Sequence, residues 1–273
     1  MKHTTVNGVQ LAYHDQGTGL PLLLVHAFPL NSAMWRPQLE ALSARYRVIA
    51  PDLRGFGASE LGRDAISLDL YADDLAALLD QLGAERVAFC GLSMGGYIAF
   101  AFLRRYRERI RTLILADTRA QPDTEEGRRN REQMARTAEE QGPGAIADQM
   151  LPRLLSPSAP EALRAEVRQI IEANDRRGIA AALRAMAARP DSTPLLATID
   201  VPTLVIVGTE DVPTPPDDAQ RMRGAIPNSR LIEIPGAGHL TNLEQPDVFN
   251  AAVDEFLSPA LAYGAGGGGG GPW

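Results

Sequence analysis

Cysteine is almost absent. Cys90 is the single one in 273 residues, so no internal disulfide can form. It sits in an apolar stretch and reads as a small buried residue, and nothing in the chain calls for an oxidising compartment. Histidine is scarce too: there are four, and none stands at a zinc-ligand spacing with Cys, Asp or Glu. Neither a metal nor a cofactor is expected. No apolar run approaches the ~20 residues of a membrane span, and the N-terminus lacks the apolar core and cleavage site of a secretory signal. Positive charge is in deficit, with a formal net charge of −7, which disfavours nucleic acid as a partner. A cytoplasmic protein is expected, off the membrane and a monomer or homodimer.

What is present is ordinary soluble composition, 45% hydrophobic and 22% charged, on a chain long enough for one large α/β domain with an insertion. Residues 3–15 alternate around Asn7-Gly8, a two-residue hairpin signal. Pro21 to His26 is a continuous apolar run, as a strand buried on both faces requires. Asn31 or Ser32 can then cap a helix carrying Met34, Trp35, Leu39 and Leu42. Further strands are expected at Val48–Ala50, Arg86–Cys90, Ile110–Asp117, Thr203–Gly208 and Arg230–Ile234. Helices are expected from Asp69 to Leu82, Met94 to Tyr106, Pro216 to Ala225 and Pro246 to Leu257. Repeated strand–helix units imply a mostly parallel sheet with helices on both faces.

The pattern changes between Gln121 and Ala197. Strand signals vanish, and helical segments rich in Ala, Arg and Glu are broken at Gly142-Pro143, Ser156-Pro157, Gly178 and Arg189-Pro190. Ser158 with Glu161 fits a capping box. The expected division is a core at 1–120 and 198–259, a helical cap at 121–197 inserted into it, and a flexible glycine-rich tail at 260–273.

The chemistry centres on Gly91-Leu92-Ser93-Met94-Gly95, a G-x-S-x-G between a strand and a helix. Such a turn lifts a serine hydroxyl clear of the sheet and aims the next N–H at a developing oxyanion, so Ser93 is the candidate nucleophile and Met94 N–H a candidate oxyanion donor. The second donor is expected from the loop after the first apolar strand, at Phe28 N–H. A serine needs a base, and catalytic groups gather at the carboxyl ends of strands. His239, in the glycine-rich loop after the last strand, fits; His3 and His14 lie in the hairpin, and His26 is expected to order its own loop. Asp211, after the penultimate strand, is preferred as the acid that orients His239; Asp117, at another strand end, competes, and Glu210 is expected in solvent. Asp52 and Arg54 are expected to lock their loop rather than meet substrate. Met134, Met150, Leu154, Met186 and Leu240 are candidates for a moderately apolar pocket, and the Arg128–Arg131 run is expected to be a solvated face.

These segments also occur in the order of a known family. His26-Ala27-Phe28-Pro29, Asp52-Leu53-Arg54-Gly55-Phe56-Gly57-Ala58-Ser59, Gly91-Leu92-Ser93-Met94-Gly95-Gly96, Gly208-Thr209-Glu210-Asp211 and Gly236-Ala237-Gly238-His239 together resemble the α/β-hydrolase fold superfamily over residues 3 to about 257. Within it the chain is similar to small carboxylesterases, 3-oxoadipate enol-lactonases, acyl-homoserine lactonases and cofactor-free haloperoxidases. Two departures stand out. The family's usual His-Gly is His26-Ala27 here, and a serine nucleophile separates the chain from the haloalkane dehalogenases and epoxide hydrolases that use aspartate. The resemblance implies hydrolysis of a small or medium carboxylic ester or lactone through an acyl-enzyme, without cofactor. Its alternatives are a perhydrolase using hydrogen peroxide, a carbon–carbon bond hydrolase on the same triad, and a small-molecule receptor that retains the triad.

Overall fold

The hairpin turn at Asn7-Gly8 forms with both residues at positive φ, 46° and 77°, the geometry that matches strand twist. It joins β1 (Lys2–Val6) to β2 (Val9–Gln16), and β2 then pairs antiparallel with β4 (Arg47–Pro51). The remaining strands are β3 (Pro21–Val25), β5 (Val87–Leu92), β6 (Ile110–Ala116), β7 (Thr203–Gly208) and β8 (Ser229–Ile234), all parallel to β4. The eight strands lie in the order β1-β2-β4-β3-β5-β6-β7-β8. This computed structural model describes residues 1–264.

Period-two alternation divides the core in two. Leu23, Val25, Phe89, Leu113, Leu115 and Val205 face one side of the sheet. Leu22, Leu24, Cys90, Ile114, Leu204 and Ile206 face the other. The first face is covered by α2 (Leu68–Gln81), α3 (Met94–Tyr106) and α9 (Pro216–Ala225); the second by α1 (Arg36–Leu42), α10 (Thr241–Glu244) and α11 (Pro246–Gly264). Both-sided burial explains why the central strands read as unbroken apolar runs.

Between β6 and β7 come only helices: α4 (Glu125–Gln141), α5 (Pro143–Leu154), α6 (Glu161–Glu172), α7 (Arg176–Ala187) and the single turn α8 (Thr193–Leu196). Several boundaries differ from expectation. Gly178 is no breaker. It lies inside α7, where any side chain would strike the Gly55 carbonyl, so its missing Cβ lets the helix rest on the Gly55 loop. Asp175 caps that helix through Arg177 N–H. The Ser158–Glu161 capping box does not form either. Pro160 takes the N-cap position of α6, and the Ser158 hydroxyl pairs with that of Ser156. Ser67 caps α2, which begins one residue before Asp69. Finally α11 continues past Leu257 to Gly264, so residues 260–264 of the expected tail are helical. The rest of that tail lies outside the described residues.

Three buried polar groups hold the loops after β3 and β4. His26 is fully buried; Leu53 N–H donates to its Nε2 at 3.1 Å, and Nδ1 meets the Ala27 carbonyl at 3.0 Å. Asp52 accepts from Ser32 N–H and Ala58 N–H, both at 2.8 Å, so it locks its loop as expected. Arg54 reaches further, forking onto Asp74 of α2 through Nε at 2.7 Å and Nη2 at 2.8 Å, with both side chains out of solvent. The inserted helices are tied down by Asn174. Its Oδ1 accepts from Gly57 N–H at 2.8 Å and Asn31 Nδ2 at 3.1 Å, and its Nδ2 donates to the Pro29 carbonyl at 2.8 Å.

Removing one partner of a buried ion pair strands the other charge. Asp74→Ala is therefore expected to destabilise the fold by about 3–5 kcal/mol, read as a lower urea midpoint. His26 sets a pH dependence. Burial lowers its pKa from 6.5 to about 4, outweighing the Ala27 carbonyl and Asp52, which favour the charged ring. The unfolded chain thus binds this proton near pH 6.5 and the native protein only near 4. The associated stability is full above pH 6.5 and falls as the pH drops towards 4, by on the order of 3 kcal/mol. Urea unfolding at pH 7.5 and 4.5 should show that slope in the wild type and a shallower one in His26→Gln.

Candidate active site

Ser93 occupies the turn between β5 and α3 at φ 55°, ψ −112°, a conformation that few non-glycine residues adopt. Its neighbours explain how it is kept there. A methyl group on Gly91 would strike the Gly95 carbonyl, one on Gly95 the Val25 carbonyl, and one on Gly96 the Thr118 side chain. Ser93 N–H donates to the Ala116 carbonyl at 2.9 Å, and Thr118 Oγ1 donates to the Ser93 carbonyl at 2.8 Å. Backbone on both sides of the residue is thereby tied to β6 and its loop, leaving the side chain to project at the strand ends.

The imidazole of His239 meets that side chain: Nε2 lies 2.8 Å from Ser93 Oγ. On its other edge Nδ1 stands 2.9 Å from each oxygen of Asp211. All three residues are buried. The loop after β8 is pinned from outside the sheet. His239 N–H donates to the Leu154 carbonyl at 3.0 Å, and Glu244 accepts from Gly238 N–H and from Ser156 N–H, both at 2.9 Å. The inserted helix α5 therefore helps set where the imidazole sits.

Thr214 is a partner the sequence reading missed. Its N–H donates to Asp211 Oδ1 at 2.9 Å, its hydroxyl to Oδ2 at 2.8 Å, and that hydroxyl lies 3.3 Å from His239 Nδ1. The signal was available, because an aspartate with a threonine three residues on, amid prolines, is a turn pattern. Asp117 competed with Asp211 in the sequence, and the structure brings only Asp211 to the imidazole. Asp117, at φ 44°, accepts from Gly208 N–H at 3.0 Å and from the Thr241 hydroxyl, joining the ends of β6 and β7 to α10. Burial, with the Asp211 charge added, pushes its carboxyl well above the usual range. Glu210 is exposed, as expected. Among the described residues no hydrogen bond takes up the N–H of Phe28 or of Met94.

A cavity of about 200 Å³ opens beside Ser93 and His239. Its apolar lining comes from Phe28, Tyr97, Met134, Met150, Leu183 and Met186. Met150 and Met186 thus stand where the sequence reading placed them. Leu154 and Leu240 do not. Both side chains are fully buried in the core on the α11 side of the sheet, and the backbone of each helps fix the His239 loop and the start of α10. The pocket is apolar only in part, since Arg119, Asp123, Asn130, Arg131 and Arg153 complete the lining. Asn130 and Arg131 come from the run read as a solvated face. A helix turns a short charged run through all directions, and one turn of α4 aims Arg131 inward at Asp123. Burial pushes the Asp123 carboxyl up, but Arg131 and Arg189 outweigh it and hold the group below the usual carboxylate range.

The sequence profile of the family described as alpha/beta hydrolase fold matches residues 21–246. The chain is 32% identical over 240 residues to 3-oxoadipate enol-lactonase 2 of Acinetobacter baylyi, covering 86% of this chain and 88% of that protein. Among solved structures it is similar to a thermophilic esterase from Thermogutta terrifontis, with malate bound, at 45% identity and a TM-score of 0.91 over 95% of this chain and 97% of that one. It is also similar to the enol-lactonase from Burkholderia xenovorans, at 32% identity and a TM-score of 0.87 over 94% and 100%. With its eight-stranded sheet, inserted helices and serine turn, the chain belongs to the α/β-hydrolase fold family.

Proposed function

We propose that the protein is a serine hydrolase of small carboxylic esters or lactones that works through an acyl-enzyme. The observation that carries this reading is the unbroken line from Ser93 Oγ through the His239 ring to Asp211, at 2.8 and 2.9 Å, beside a small cavity. Ester- and lactone-cleaving relatives support the same reaction class.

In this reading Ser93 Oγ attacks the carbonyl carbon as its proton passes to His239 Nε2. Asp211 holds the ring with Nδ1 protonated, so Nε2 is free to accept, and it stabilises the imidazolium that results. The negative charge that forms on the carbonyl oxygen falls to the N–H groups of Met94 and Phe28, each such donor being worth on the order of 3 kcal/mol. His239 then protonates the departing alkoxide. Water attacks the acyl-enzyme with His239 as base, and the acid leaves with Ser93 restored; from a lactone, both ends stay on one product. The Ala27 methyl sits one residue before the Phe28 donor and is buried, so it takes no part of the cavity. The segment 121–197 acts as the cap, contributing Met134, Met150, Leu183 and Met186 to the cavity wall.

The test is steady-state turnover of p-nitrophenyl acetate, butanoate and octanoate and of γ-butyrolactone by wild type and Ser93→Ala. Multiple turnovers in the wild type, strongest on the short acyl chains, are expected to fall by at least about a thousandfold in Ser93→Ala. Equal rates in the two proteins would sink the acyl-enzyme reading.

A further inference from the structure

The charge in the cavity does not balance. Asp123 is the one carboxylate in its lining, against Arg119, Arg131 and Arg153. That carboxylate is already claimed: Arg131 Nε bonds Oδ2, and Arg189, which lies outside the cavity lining, holds Oδ1 at 2.8 Å. Arg119 is left with loose contacts, 3.5 Å to Asp123 and 4.0 Å to Asp218, and Asp218 is shared with Arg221 at 3.4 Å. Among the described residues the buried Nε of Arg119 has no hydrogen-bond partner. Arg131 Nη1 meets only the sulfur of Met186, at 3.6 Å. Arg153 is exposed, and the one acid of its own helix, Asp148, is taken by Arg168.

A guanidinium half out of water with open N–H groups is a costly neighbour for a neutral substrate and a matched one for a carboxylate. The excess positive charge is confined to a small cavity that also contains Ser93 and His239. It stands out further in a protein of net charge −7.

We propose that the cavity carries an anion subsite, with Arg119 and Arg153 as its anchors and Arg131 Nη1 contributing, and that the preferred substrate is an ester or lactone bearing a carboxylate. This rests on the hydrolase reading and names the substrate class of the same site. Phe28, Met134 and Met186 pack the carbon chain between the scissile carbonyl and the charged end, and the arginines choose substrates by charge rather than chain length. Arg189 and Asp123 keep the cluster in place without meeting substrate.

The experiment compares charged and neutral esters of matched shape. One pair places the carboxylate on the acyl side, monomethyl succinate against methyl 4-methylpentanoate. The other places it on the alcohol side, 4-carboxyphenyl butanoate against 4-isopropylphenyl butanoate. In at least one pair the wild type should favour the charged member in kcat/KM by about tenfold or more, and added salt should reduce that ratio. Arg119→Gln and Arg153→Gln should each collapse the ratio, mainly through KM for the charged ester, and Arg119→Lys should recover part of it. A neutral preference in both pairs, or a charged preference that neither glutamine variant reduces, overturns the proposal. Succinate binding, followed by calorimetry on the intact protein, separates the two readings. Should no ester be turned over, the hydrolase reading fails, while succinate binding weakened about tenfold in Arg119→Gln upholds the subsite. Absence of succinate binding in an inactive protein overturns both.

Discussion

Ser93 at positive φ is the constraint around which the molecule is arranged. A turn that sharp exists only because three glycines leave room for the backbone of β3 and α3 and for the Thr118 side chain to close in on it. The strain, on the order of 1–3 kcal/mol, is borne by the strands on either side, each buried on both faces. Sheet and elbow are thus one device. The parallel strands end in register, and the loops that follow β5, β7 and β8 bring serine, aspartate and histidine to one edge.

A second layer of bonds keeps that edge in place, made of buried polar groups rather than surface ion pairs. Exposed pairs such as Arg36–Glu40 or Arg129–Glu125 contribute little in water. Arg54–Asp74, the His26 ring, Asn174 and Asp117 are buried, and each ties a loop to an element distant in sequence. Loop backbone that reaches a site needs such partners, since its N–H and carbonyl groups lack a ladder.

The sheet was readable from sequence because a strand buried on both faces has no polar positions to blur it. The residues proposed as nucleophile, base and acid were readable because a strained serine turn and a loop histidine after the last strand leave marks within a few residues. The inserted helices were harder. Gly178 breaks helices on average, yet here it allows contact with Gly55, a partner more than a hundred residues away that no local pattern reveals. Ser158 and Glu161 have the right spacing for a capping box, but Pro160 already starts the helix. Pocket polarity was missed for a related reason. Arg119, Arg131 and Arg153 belong to three separate segments, and their convergence depends on how the insertion folds back over β6. Leu154 and Leu240 are as apolar as Met150 and Met186; packing alone decides which pair meets the cavity.

The loop that carries His239 is fastened to the end of α5, through the Leu154 carbonyl and through Glu244, which bonds Gly238 and Ser156 together. The imidazole is therefore suspended between the sheet and the insertion. Anything that loosens the inserted helices, whether warming or mild denaturant, slackens the His239 loop with them. The proposed proton path therefore depends on the fastening at the Leu154 carbonyl and Glu244 as well as on the central core.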